Sequence, residues 1–372
     1  MEQKQILQIN PLPSPTWNWL KVNHTKVSWS QENVPAQIEV IDPREKMQTD
    51  MLIMREKTPE EEPAFWKIET SAGKETDVIF SGEQASYVKI SGKKQDDAVK
   101  DPVVRVHIQG ESQKQTAALV NIVAKEREQV TVHMDLRTLE GSQTSLVVRT
   151  YLQLGKNSTV TLVQILLPGD KSMILNDLGG KCEEEARINL IQIYLGKGDC
   201  YSGAKATLHG AKSNFTSSIA YLEQKEQSLD LNMVVDHFGR KTTSSIVAEG
   251  TMRDKARKLF RGTIDFKTGA SESEGQEEEN VLLLGDEIVN KTIPLILCAE
   301  EDVVGNHGAT IGELDEEVLF YFGARGIGRR QAEDIMTRAK IERVCNQISD
   351  EETRKLVHTA MDEVMQSEGN EE

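Results

Sequence analysis

The chain has 372 residues and a net charge of −16, from 44 Lys and Arg against 60 Asp and Glu. A field of that sign turns nucleic acid and anionic membrane away from most of the surface. Hydrophobic residues make up 38% and charged residues 28%, enough for an ordinary core, and no run of 18 apolar residues offers a membrane span.

The opening MEQKQILQINPLPSP has no cationic stretch followed by an apolar one, so a cytoplasmic location is expected. Residues 1–35 read as an extended entry punctuated by Pro11, Pro13 and Pro15, leading into the aromatic segment PTWNWLKVNHTKVSW. All the tryptophans (Trp17, Trp19, Trp29, Trp66) fall in the first 66 residues, and together with His24 they are expected to pack the N-terminal part. The pattern is mixed up to residue 100. MLIMRE (51–56) suits strand or helix, TDVIFSG and SYVKISG read as short strands, and KKQDDAVKD (93–101) reads as a loop.

From 101 to 311 the chain is a succession of short runs rich in Val, Ile, Leu and Thr, closed by Gly, Asp or Asn. Val130, Val132, Met134 and Leu136 alternate with Thr131, His133 and Asp135, and Leu229, Leu231, Met233 and Val235 alternate with polar neighbours. No long amphipathic helix intervenes, which disfavours a doubly wound α/β fold. Periodicity alone leaves a sandwich and a β-solenoid equally open. Small polar residues at outward positions and the shortage of aromatics favour the solenoid, with flat, solvated outer faces.

Residues 312–372 form a helical appendage. DEEVLFYFGARGIG is a short helix broken between Gly323 and Gly328. In the next helix Ala332, Ile335, Met336, Ala339, Val344 and Ile348 share a stripe, and Ser349 with Glu352 makes a capping box for the last one. The appendage is too small for a core of its own and is expected to dock on the β region or on a partner.

Nucleotide-binding loops of the GxGxxG and GxxxxGK[ST] types are absent. Four cysteines, at 182, 200, 298 and 345, contain no CxxC pair, which argues against a zinc knot or a self-contained iron–sulfur ligand run. Cys298, closing IPLILC, and Cys345 read as small buried hydrophobes. SESEGQEEEN (271–280) reads as a solvated loop, and His107, His133 and His237 as histidines on solvated faces. The densest polar constellation is CAEEDVVGNHGATIGELDEE (298–317). It sets Glu300, Glu301, Asp302, Asn306 and His307 around Gly305 and Gly308, and the pattern suggests an imidazole presented on a tight turn. A neutral imidazole is a competent iron or zinc ligand, and an incidental histidine in a plain turn is the alternative.

Four stretches resemble the SufB/SufD family of iron–sulfur assembly scaffolds: PSPTWNWLKVN, ARKLFRGTIDFKTGA (256–270), NVLLLGDE and, above all, NHGATIGELDEEVLFYFGARGI (306–327). The N-terminal piece resembles the SufD branch more than the SufB branch. The resemblance implies a right-handed parallel β-helix core with an N-terminal extension and a small C-terminal helical domain. It implies a non-enzymatic subunit that pairs with a SufB-like protein and engages a SufC-like ATPase, with a transient iron–sulfur cluster at the subunit interface and no stable cofactor in the isolated chain.

His307 is the residue matching the family's interface histidine, with Glu300, Glu301, Asp302 and Asn306 around it at the interface. Where the SufB branch has a cysteine, this chain has QEEENVLLLG, in which Glu279 is a candidate iron-binding carboxylate. Two other readings stand beside this one: a homodimeric scaffold or iron-handling protein acting without SufB, and a β-solenoid enzyme acting on carbohydrate, which would need paired carboxylates and aromatic platforms.

Overall fold

The computed structural model of the chain describes residues 4–30, 33–44, 67–80, 85–94 and 102–366; MLIMRE, Trp66 and residues 95–101 lie outside them. Two strands open the chain, β1 (Lys4–Ile9) and β2 (Thr25–Ser30), followed by β3 (Val34–Pro35), β4 (Gln37–Ile41), the short helix α1 (Asp77–Phe80), β5 (Ser86–Ser91) and β6 (Lys93–Lys94). The core strands then come in alternation. One series is β8 (Gln115–Ala124), β10 (Ser145–Leu154), β12 (Met173–Cys182), β14 (Asp199–Leu208), β16 (Ser228–His237), β18 (Arg257–Phe266) and β20 (Val289–Cys298). The other is β7 (Val103–Gln109), β9 (Glu128–Arg137), β11 (Thr159–Leu167), β13 (Arg187–Tyr194), β15 (Asn214–Glu223), β17 (Thr243–Arg253), β19 (Ser273–Leu284) and β21 (Val303–Gly312). Helices α2 (Glu316–Gly323), α3 (Arg329–Cys345) and α4 (Glu351–Gln366) close the chain.

From β7 onward even strands pair only with even and odd only with odd; β3 and β5 join the even series at β8, and β4 and β6 join the odd series at β7 and β9, giving a 9-stranded and a 10-stranded sheet that face each other across one core. From β7 and β8 onward all pairing within the two series is parallel, so successive strand pairs are the coils of a parallel β-solenoid. Coil length drifts from 26 residues (Met173 to Asp199) to 32 (Arg257 to Val289), which is why no strict sequence period is visible. The corner before each odd strand from β9 to β19 repeats one device. Arg127, Asn157, Glu185, Lys212, Lys241 and Glu272 all have φ between 55° and 62°, and each donates its N–H to a carbonyl of the following coil. A left-handed non-glycine residue costs about 1–2 kcal/mol, and here the hydrogen bond between coils offsets that cost at every turn.

Much of each outer face is covered rather than solvated, the outward side of β19 staying exposed. The N-terminal segment lies over the even sheet: Leu7, Ile9, Val27, Trp29, Ile79 and Phe80 bury Leu119, Val147, Tyr151 and Leu175. TDVIFSG is therefore not a strand. Its Asp77 pairs with the fully buried Arg149 at 2.7 Å and Phe80 lies 4.6 Å from that guanidinium, contacts that hold the segment as α1. Arg149 also pairs with buried Asp177 at 2.8 Å, so its charge is matched inside the cover. Trp17 and Trp19, each 72% exposed, stack on each other at 6.2 Å rather than packing this segment; among the described tryptophans only Trp29 does so.

The C-terminal helices cover the odd sheet. Ile341, Val344, Cys345, Ile348, Val357, Met361 and Val364 sit on Val163, Ile165, Ile191, Ile193 and Leu222. Of the expected stripe Ala332, Val344 and Ile348 are buried, whereas Ile335 and Ala339 are exposed and Met336 is half-buried; Thr337, Ile341 and Cys345 complete the buried face. Its direction is set by the sheet it lands on. Asp350, not Ser349, caps α4, accepting from Thr353 N–H at 2.9 Å. His133 is buried under this helix with its Nδ1 2.7 Å from Thr353 Oγ1, and His237 is fully buried between Thr242 and Ser244; burial lowers both imidazoles to about 4. Both differ from the solvated histidines expected: α4 covers the face of His133, whereas His237 continues the inward parity of Leu229, Leu231, Met233 and Val235, in register with buried Leu208 and Phe266.

Candidate functional site

Side-chain columns run the length of a parallel solenoid, because residues in register point the same way. One inward column of the odd sheet reads Val104, Val132, Leu162, Leu190, Ser217, Ile246, Glu277 and His307. Its first six members are at most 1% exposed, Glu277 is 5% exposed, and His307 is open to solvent. The apolar column thus turns acidic one coil from the end and finishes on an imidazole.

His307 is not on a turn. NHGATIG is the body of β21, an edge strand paired in register with β19 and unpaired on its other side among the described residues. Parallel pairing with β19 outweighs the local turn tendency of Asn306 and the glycines. Gly305 serves a different purpose: a Cβ there would lie 2.9 Å from Ile296 Cγ2 and 3.2 Å from the Phe266 ring, so the two sheets close up only over a glycine. Asn306 pairs in register with Gln276 and is exposed.

SESEGQEEEN is likewise not a loop: from Ser273 it is the first half of β19, with Glu277 and Glu279 inward and Glu274, Gln276 and Glu278 outward. The two inward carboxylates are held by a side-chain cluster that sequence reasoning missed. Lys258, fully buried on β18, forms an ion pair with Glu279, which also accepts from Thr292 Oγ1 at 2.6 Å and from the Tyr221 hydroxyl at 3.3 Å. Burial lowers the Lys258 ammonium against the pull of Glu279 and raises the Tyr221 phenol.

Glu277 lies over Gly262, where a Cβ would run into its carboxyl, and burial, reinforced by Glu279 and opposed by Lys258, lifts its pKa to about 7. The only signal in the sequence is the alternation of Glu277 and Glu279 with outward residues; the lysine that meets Glu279 lies 21 positions away. Glu279, the carboxylate singled out as iron-binding, is 1% exposed and engaged by the ammonium and two hydroxyls; the structure does not bring it to the open end with His307.

The remaining acidic residues sit in the connection between β20 and β21. Glu300 accepts backbone N–H groups of Gly269 at 2.9 Å and Glu301 at 3.1 Å, which lower its carboxyl and fix the corner, while Glu301 and Asp302 are exposed. Cys298 is exposed rather than buried. It shares its register position with fully buried Phe266, one coil earlier, and no further coil covers it among the described residues. The assembled end therefore presents an imidazole, a thiol and exposed apolar side chains such as Ile311 (43%) and Val304 (50%) along two free strand edges.

The family model for the SUF system FeS cluster assembly, SufBD core domain, matches residues 106–340. The chain is similar to the iron-sulfur cluster assembly protein SufD of Bacillus subtilis, with 25% identity over 259 residues, 69% of this chain and 59% of that protein. It is similar to SufD of Escherichia coli at 27% identity over 150 residues, 40% of this chain and 36% of that protein. The chloroplastic SufBD family protein ABCI8 of Arabidopsis thaliana is 26% identical over 211 residues, 55% of this chain and 38% of that one. These matches span less than two thirds of each relative, and identities at this level do not separate the SufD branch from the SufB branch.

Proposed function

The chain belongs to the SufBD family of the SUF iron–sulfur cluster assembly system, and from that premise we propose that it is a SufD-like scaffold subunit acting in the cytoplasm. It joins a SufB-like protein through the free end of its solenoid and works with a SufC-like ATPase supplied as a separate subunit. The observation that carries this reading is the bare terminal coil. Strands β20 and β21 are ten residues each, extended, and without a further partner strand among the described residues. Strand β21 has no Asp, Glu, Lys or Arg, and an edge of that kind and length is a template for pairing with another chain, whereas Lys291 and Pro294 blunt the edge of β20.

His307 stands on this edge at the end of its column, so a partner strand laid beside β21 comes next to its ring. In that joint the imidazole is a ligand for an iron–sulfur cluster, which is cargo rather than a resident group. The exposed Phe320 (79%) and Tyr321 (54%) of α2 are the surface assigned to the ATPase. The carbohydrate-enzyme reading loses support because both broad faces, where a sugar chain would lie, are covered by the N-terminal segment and by α3 and α4.

Co-expression with a SufB-like and a SufC-like protein, followed by size exclusion and anaerobic reconstitution, tests the proposal. All three are expected to co-purify. His307→Ala is expected to keep the complex and lose at least tenfold of the cluster it retains, and Ile311→Asp, an inward charge on the edge, is expected to lose the complex while the chain stays folded. A His307→Ala complex with full cluster content overturns the ligand role; a chain that self-associates and ignores SufB overturns the heteromeric one.

A further inference from the structure

Three side chains of metal-binding type converge far from the terminal coil, between α3 and α4. Glu342 and Cys345 are one helical turn apart on α3, so they share a face. His358 reaches that face from α4. Its Nε2 lies 2.9 Å from Glu342 Oε1 and 3.9 Å from Cys345 Sγ, and all three ligand atoms are within 4.8 Å of one another.

For zinc–ligand bonds of about 2.0–2.3 Å at tetrahedral angles, neighbouring donor atoms are about 3.3–3.6 Å apart. The observed separations bracket that range. One thiolate and one carboxylate cancel the charge of a divalent ion, so the loaded site carries no net charge at the edge of the helix–sheet core. We propose that Glu342, Cys345 and His358 bind one zinc ion, which staples α3 to α4.

The exchange balances simply. The ion enters as Zn²⁺, the Cys345 S–H bond breaks with its proton leaving to solvent, and Sγ, His358 Nε2 and one Glu342 oxygen become ligands. The proton that His358 Nε2 donates to Glu342 leaves to solvent as the metal takes that lone pair, Nδ1 carries the remaining ring proton, and a water holds the fourth position. The Glu342–His358 hydrogen bond gives way to two metal bonds. The thiolate and imidazole donors disfavour calcium and magnesium, and a tetrahedral set of sulfur, nitrogen and one carboxylate oxygen suits zinc. Cys345 is fully buried and His358 partly exposed, so the ion enters from the His358 side.

The test uses the full chain, stripped with a chelator and titrated with Co²⁺ as an optical reporter. One equivalent is expected to bind with thiolate-to-cobalt charge-transfer absorption, and equimolar Zn²⁺ is expected to abolish it. Cys345→Ser is expected to remove that absorption, whereas Cys298→Ser and His307→Ala keep it, which separates this site from the terminal coil. Because a change at Cys345 touches the core, the partly exposed His358→Ala, checked for unchanged circular dichroism, is the second variant; at least tenfold weaker binding is expected. Absence of the absorption, its survival in Cys345→Ser, unchanged affinity in His358→Ala, or failure of Zn²⁺ to displace Co²⁺ each overturns the proposal.

Discussion

The middle of the solenoid and its last coil are built on the same plan and meet opposite fates. In the middle, each inward residue has a like residue above and below it and a covered sheet behind it; Leu162 and Leu190 are at most 1% exposed. In the last coil the positions in line with buried Val281 and Phe266 are filled by Ile311 and Cys298, and both are exposed. A stack of coils stabilises each member through its two neighbours, so a coil with one neighbour forgoes half of that and leaves its strand edges open. The middle of the stack is where this molecule holds itself together, and its last coil is where strand edges stay unpaired among the described residues.

The sharpest way to break the comparison is to remove one side chain from each region. Leu162→Ala deletes a fully buried group from a rung packed on both sides and is expected to destabilise the chain by about 3 kcal/mol, within the range for buried leucines. Ile311→Ala removes a half-exposed group and is expected to cost less than about 1 kcal/mol in the isolated chain. Denaturant unfolding of both variants measures this. Equal losses would mean that the last coil is packed as the middle is, and the case for a missing neighbour would fall.

A second test bears on the one charged rung between the two regions. The Glu277 carboxyl is raised from 4.5 to about 7, so the folded chain holds a proton there that the unfolded chain releases at a lower pH. Stability from this group is therefore present below about pH 4.5 and is lost as pH rises through 7. Glu277→Gln removes that loss. Its melting temperature is expected to draw level with the parent near pH 4.5 and to exceed it at pH 8 by the equivalent of about 2 kcal/mol, allowing for the lost attraction to Lys258. A gap that does not widen between those two values would show that Glu277 is solvated, and with it that the column is open one coil further in.

How much of this was legible depends on how far apart the cooperating residues lie. The strands of 101–311 and the helices after 315 follow from local alternation and periodicity, and Gly323 and Gly328 do end one helix and open the next. Their stacking in parallel coils was left open against a sandwich, because coil length drifts and the corner residues are Arg, Asn, Glu and Lys rather than a repeated glycine. What failed was mostly what depends on cover. The covers of His133 and the partner of Glu279 are remote in the chain, whereas the inward place of His237 follows from the parity of Leu229 to Val235 and contradicts its expected solvated face. His307 was found through its motif and given the wrong local structure. A strand of Gly, Asn and His forms here only because β19 supplies its hydrogen-bond partners, a fact with no trace within NHGATIG itself.

The smallest effect is also the most direct readout of the open end. Cys182, Cys200 and Cys345 are buried, and Cys298 is exposed. Burial also pushes the Cys182 and Cys200 thiols up, which holds them as unreactive thiols. A thiol reagent added to the native, metal-free chain is therefore expected to titrate one cysteine quickly and the other three only in denaturant. Cys298→Ser should abolish the fast phase with almost no change in stability, because its side chain has no coil above it to lose. If the last coil is completed by a partner, the same thiol must become slow when the complex forms, since a neighbouring coil would cover it as the last coil covers Phe266. A complex that forms while Cys298 reacts at its free rate would place the partner elsewhere, and His307, on the facing strand of the same coil, would then have no second subunit beside it.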